Sequence, residues 1–185
     1  MMHLGGHASH YKSISDQIPY LLRTPNSVLS EGIARYFESL ASNINWLKDM
    51  GVINPEKHKQ YSLICQHLNQ VDRLFRCRKL LVLAEFEREI YQNPDQNLNE
   101  LWRKLNQDYL GISYPDEPNA SFWAANKYAT SLSCTTHNYV LADIFAAQLQ
   151  HTIENKVLKE TSSGYRNNQA IGQFLNEHLY SHQIS

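Results

Sequence analysis

Apolar residues recur along most of the chain at intervals of three and four, the spacing that lines one face of a helix. Leu29, Ile33, Phe37 and Leu40 form the clearest stripe, and Asn26-Ser27 ahead of it supplies an N-cap. Residues 2–14 read as a shorter helix with three histidines, and residues 15–26, interrupted by Pro19 and Pro25, as loop. After a turn at Gly51, Asn54-Pro55-Glu56 combines a cap residue, a first-turn proline and an acid. The helix it opens is predicted to reach Tyr91, with a break allowed, before Asn93-Pro94 ends it. Leu98, Leu101, Trp102 and Leu105 place another helix over residues 97–109, followed by a proline- and acid-rich loop over 111–118. Residues 121–129 fit either helix or extended chain. A long helix is expected over 137–160, broken by Ser162-Ser163-Gly164, and a last one over 168–179. Alternating strand patterns, internal repeats and low-complexity tracts are not evident. The expectation is an all-α fold, with residues 1–185 forming a single helical domain.

Length and composition narrow the function classes. A chain of 185 residues can bury one real core. A formal charge of -1 offers no field for nucleic acid. The one basic cluster, Arg73, Arg76, Arg78 and Lys79, is soon followed by Glu85, Glu87 and Glu89, and reads as a solvated helix face. Cys65, Cys77 and Cys134 form neither a CxxC motif nor an even set, which points to reduced thiols in a reducing compartment. The longest strongly apolar run, residues 80–84, falls well short of the ~20 residues of a membrane span. No basic segment followed by an apolar one marks a secretory signal. A cytoplasmic location follows as the expectation for this chain, although a longer parent could carry its own address.

The candidate chemistry lies near the start. His3 and His7 are spaced i, i+4, which on a helix stacks two imidazoles on one face, as one zinc ion requires. With 9 histidines in the chain, chance alone yields about 0.4 such pairs, and His178 with His182 has the same spacing without a carboxylate downstream. The first pair differs because Glu31 follows His7 by 24 residues, early in the next predicted helix. A carboxylate from a second helix can complete a His-His-Glu zinc site with a fourth position open to water. On spacing alone, Glu31 reads more simply as a first-turn acid favoured by the helix dipole.

The segment His3-Leu4-Gly5-Gly6-His7-Ala8-Ser9-His10-Tyr11 resembles the HExGHAxxY helix of gluzincin zinc peptidases of the angiotensin-converting enzyme family. It is more distantly similar to thimet oligopeptidase and oligoendopeptidase F. The likeness continues through Ile18-Pro19-Tyr20-Leu21-Leu22-Arg23, Ser30-Glu31-Gly32-Ile33 and Leu47 to Ile53. It extends further through Leu101-Trp102, Tyr109-Leu110-Gly111-Ile112, Phe122 to Lys127 and His137 to Leu141. The resemblance implies zinc as cofactor, with His3, His7 and Glu31 as its ligands and peptides as substrates. It also implies Tyr139 and His137 as donors to the oxyanion of a tetrahedral intermediate, and Lys127 as a contact for a substrate's terminal carboxylate. Ordinary helix-start packing accounts for the first two equally simply, and a surface position for the lysine.

Two departures bear on activity. Leu4 stands where the family has the glutamate that takes a proton from zinc-bound water, and losing a general base typically costs ~10²–10⁴-fold. Arg35 stands where a carboxylate would orient a zinc histidine, a loss worth ~10–100-fold. Because the resemblance starts at the metal helix, it implies the C-terminal helical half of such a peptidase. Apolar faces would then be left for an upstream peptidase chain or a second copy of this chain. The sequence thus implies a metallopeptidase relative impaired in hydrolysis, with a zinc-binding pseudoenzyme, an interaction module and a truncated, non-functional fragment as alternatives.

Overall fold

The computed structural model describes residues 1–23, 26–115, 117, 120–131, 134–161 and 164–180. Nine α-helices follow one another among these residues: α1 (Met2–Ser13), α2 (Ser27–Leu40), α3 (Ile44–Asp49), α4 (His58–Gln92), α5 (Leu98–Leu110), α6 (Lys127–Thr130), α7 (Thr136–Thr152), α8 (Leu158–Thr161) and α9 (Gln169–Leu175). π-helical turns, Ile153–Val157 and Asn176–Tyr180, follow α7 and α9. Among the described residues there is no strand, and no helix is long and apolar enough to cross a membrane.

Asparagine begins many of these helices. Asn26 Oδ1 accepts from the backbone N–H groups of Val28 and Leu29 at 2.9 and 3.2 Å, filling donors that the first turn leaves unpaired. Asn43, Asn97, Asn126 and Asn168 do the same for α3, α5, α6 and α9. At the other end of α5, Gly111 takes the left-handed conformation, φ 67°, that closes a helix without a Cβ penalty.

Several boundaries differ from the sequence expectation. Residues 20–22, read as loop, form a 3₁₀ turn, and α3 was not foreseen. The helix from Asn54-Pro55-Glu56 starts with a 3₁₀ turn and then runs without a break through α4. Residues 121–129 resolve into a 3₁₀ turn, Phe122–Ala125, and the single turn α6. The helix expected over 137–160 is helical throughout but changes to π geometry at 153–157. Pro25, Pro118, Ser162, Ser163 and His182, which the sequence reading used, lie outside the described residues.

The chain divides into two compact units: Met1–Leu68 with Leu141–Ser185, and Asn69–Val140. In the first, Tyr36 and Leu40 of α2 pack with Ala146, Leu149, Ile153, Tyr165 and Leu175. Of the predicted α2 stripe, Ile33 and Leu40 are buried, while Leu29 and Phe37 are half-buried. The π turn carries Glu154, whose Oε1 accepts from Asn43 Nδ2 at 2.7 Å, Tyr165 OH at 2.9 Å and Gln150 Nε2 at 3.0 Å. Burial, and then the charge of Glu154, push the Tyr36 and Tyr165 phenols above their ordinary range, so both stay neutral. In the second unit, Val82, Leu83 and Phe86 of α4 pack on Trp102 and Leu105 of α5, with the Phe86 and Trp102 rings edge to face at 5.1 Å.

Candidate metal centre

α1 and α2 position the site. The two helices touch at Gly6, where an added Cβ would stand 2.6 Å from the Ala34 Cα. This approach brings the His3 and His7 face of α1 against the first turns of α2. The Nε2 atoms of His3 and His7 are 3.2 Å apart. His3 Nε2 lies 3.6 Å from Glu31 Oε1, and His7 Nε2 lies 3.4 Å from Glu31 Oε2. Taking one donor atom per residue, all three lie within 4.8 Å of one another. The shorter contacts use both carboxylate oxygens, so bidentate approach by Glu31 satisfies both imidazoles at once.

Two imidazoles and a carboxylate this close together could hold a metal ion with one position left open. The side chain of Glu31 is 15% exposed and the imidazoles about a quarter exposed, leaving the cluster open on one side. The charge balance also fits. Glu31, Glu38 and Asp143 surround the single guanidinium of Arg35, a formal excess of two negative charges when the imidazoles are neutral. A divalent cation would cancel it.

Each imidazole also has a partner on its far side. Ser30 Oγ lies 3.0 Å from His7 Nδ1, and Glu38 Oε2 lies 3.3 Å from His3 Nδ1, an ion-pair contact not aligned as a hydrogen bond. Arg35 Nη1 holds the same Glu38 oxygen at 2.7 Å, and its Nε lies 3.4 Å from Glu31 Oε1 and 3.6 Å from Asp143 Oδ1. Burial works against the Arg35 charge, but the bond to Glu38 and the charges of Glu38, Asp143 and Glu31 raise its pKa further. The sequence reading saw Arg35 as a lost carboxylate. In the structure a carboxylate still reaches His3, supplied by Glu38 one turn further along α2. Ser30, Glu38 and Asp143 were all missed. Glu38 could have been found by following the Glu31 face of α2 for two turns.

The third histidine of α1 is not a ligand. His10 is fully buried, with both ring nitrogens unpartnered among the described residues, and it stacks on Tyr180 at 6.2 Å. Burial, reinforced by the charge of His7, lowers its pKa. Leu4, the residue after His3, is 69% exposed. The residues singled out as oxyanion donors and carboxylate contact belong to the second unit. Lys127 and His137 are exposed there, with Lys127 Nζ 5.0 Å over the Tyr128 ring. The half-buried Tyr139 presents an edge to that same ring at 5.0 Å. His178 is exposed beside Phe174. Arg73, Arg78 and Lys79 are exposed and Arg76 pairs with Asp72 at 3.0 Å, while Cys65, Cys77 and Cys134 are free thiols. Compared with protein-family models, with curated proteins and with solved structures, the chain matches none.

Proposed function

We propose that the chain holds one zinc ion through His3, His7 and Glu31 and does not hydrolyse peptides by itself. The observation that carries this reading is the meeting of three metal-type donors from two helices at separations of 3.2 to 3.6 Å. The resemblance to gluzincin peptidases supplies the identity of the ion. When bound, zinc polarises carbonyl oxygens and lowers the pKa of a bound water to about 7. Using that water as a nucleophile also needs an acceptor for its proton, and Leu4 offers only an alkyl chain to solvent.

Metal analysis of zinc-loaded, dialysed protein is expected to give about one zinc per chain, lost in His7→Ala. Folded protein that retains no zinc would remove the proposal. Peptide substrates are expected to stay intact with zinc added, and cleavage abolished by a chelator would refute the role assigned to Leu4. A second reading, an interaction module that docks an upstream peptidase chain or a second copy, is favoured by the exposed Leu63, Ile64 and Leu68 of α4. Sedimentation of the isolated chain tests self-association.

A further inference from the structure

We propose that the N-terminal half of α4 is a docking face for an amphipathic helix with acidic flanks, contributed by a different chain. This rests on the interaction reading above and deepens it by naming the partner's chemistry. Tyr61, Ile64, Leu68, Val71 and Phe75 follow one another at spacings of three and four, so they form one row along a single helix. A heptad further on the row reaches Val82, and then Phe86, both buried against Trp102 and Leu105. There another helix, α5, covers it. Ahead of that contact the row is bare, with exposures from 37% at Tyr61 to 66% at Val71. Leu63 and Leu74 widen it on one side. Ile64, Leu68, Val71 and Phe75 are spaced i, i+4, i+7 and i+11, the anchors that a helix presents to an apolar partner surface.

Charge decides which partner fits. Residues 57–79 carry six lysines and arginines against one aspartate, a net +5 within a chain of formal charge -1. Asp72 is engaged by Arg76 at 3.0 Å. Arg78 and Lys79 are exposed and pair with no carboxylate among the described residues. At 3.6 residues per turn they stand on opposite sides of the row, just beyond Phe75. A second copy is a poor occupant. Two α4 helices in the same direction set Arg78 and Lys79 beside their own counterparts. In opposite directions, crossing at Leu68, they set them beside Lys57 and Lys59. Either arrangement meets like charge with like and disfavours the pair. An anionic lipid surface fits less well too, because residues 60–71, which hold most of the row, contain no lysine or arginine to grip head groups. A helix with an apolar face and carboxylates beside it satisfies both the row and the charge.

The test uses the whole chain and a labelled synthetic helical peptide with leucine at the a and d heptad positions and glutamate at e and g. A second peptide has lysine in place of each glutamate. Fluorescence anisotropy should show saturable binding of the glutamate peptide that weakens as salt rises, and no binding of the lysine peptide. Leu68→Ser combined with Val71→Ser should abolish binding, with circular dichroism unchanged because both side chains are exposed. Arg78→Glu with Lys79→Glu should weaken binding of the glutamate peptide about tenfold and admit the lysine peptide. Equal binding of the two peptides, or binding untouched by either double variant, overturns the proposal. So does a chain that pairs with itself in sedimentation, or that prefers phosphatidylserine vesicles to the peptide, and either result leaves the interaction reading standing. A chain that binds neither peptide, nor vesicles, nor itself removes the inference and that reading together.

Discussion

Adjacent glycines on α1 offer a controlled measurement of the contact that builds the site. Replacing glycine by alanine within a helix gains up to ~1 kcal/mol from backbone entropy wherever the methyl group fits. At Gly5 nothing lies within 4 Å of the added Cβ, so Gly5→Ala should realise that gain. At Gly6 the Cβ would meet the Ala34 Cα at 2.6 Å, the Ala34 nitrogen at 3.1 Å and the Ile33 oxygen at 3.2 Å, all backbone atoms that cannot rotate aside. Carbon atoms pack at about 3.5–4.0 Å, so α1 must retreat from α2 by on the order of 1 Å. Overpacking of this kind costs ~1–3 kcal/mol, leaving Gly6→Ala at or below wild-type stability. The two variants should therefore differ by ~1–3 kcal/mol, or roughly 2–4 °C in Tm per kcal/mol for a chain of this size. The same retreat pulls His3 and His7 away from Glu31, whose contacts are now 3.6 and 3.4 Å. Zinc affinity should fall in Gly6→Ala and hold in Gly5→Ala. Urea unfolding and chelator competition on both proteins provide the readings. If Gly6→Ala is as stable as Gly5→Ala and binds zinc like the wild type, helix contact at Gly6 does not build the site.

Three further outcomes are expected. His10 is held neutral by burial, so its folded pKa lies below 6.5, and the unfolded chain binds more protons as pH falls through that value. Metal-free protein should lose urea resistance between pH 7 and 5.5, and a His10→Phe variant with an unchanged pH slope would contradict this. Tyr165→Phe removes a 2.9 Å bond to the Glu154 carboxylate and should cost ~1.5–3 kcal/mol, typical of a bond to a charged group. A urea midpoint within error of wild type would show the network to be dispensable. Asn97→Ala leaves the Glu100 N–H without its 3.2 Å side-chain acceptor, and calorimetry should show a loss of ~1 kcal/mol, against none if solvent replaces the cap at no cost.

Helix content was legible in the sequence because its causes are local. The stripe Leu29, Ile33, Phe37 and Leu40, the caps Asn26, Asn97 and Asn168, and the stop at Gly111 each act within one or two turns of chain. What escaped depends on distant partners. α3 is only six residues long, too short to show a period, and its cap residue Asn43 is tied to Glu154 and Tyr165. The π turn at 153–157 carries Glu154, where Asn43, Gln150 and Tyr165 converge, and no local spacing announces it.

The metal centre divides along the same line. Sequence alone determines that His3 and His7 share a face, because the helical repeat sets that relation whatever α1 packs against. It could offer Glu31 as a third donor, and Glu38 two turns along the same face, but no distance to either. Those relations are set across the α1–α2 contact at Gly6, where the lack of a side chain lets two backbones approach. A donor on one helix meets donors on another at a separation fixed by packing, and only the tertiary structure decides it.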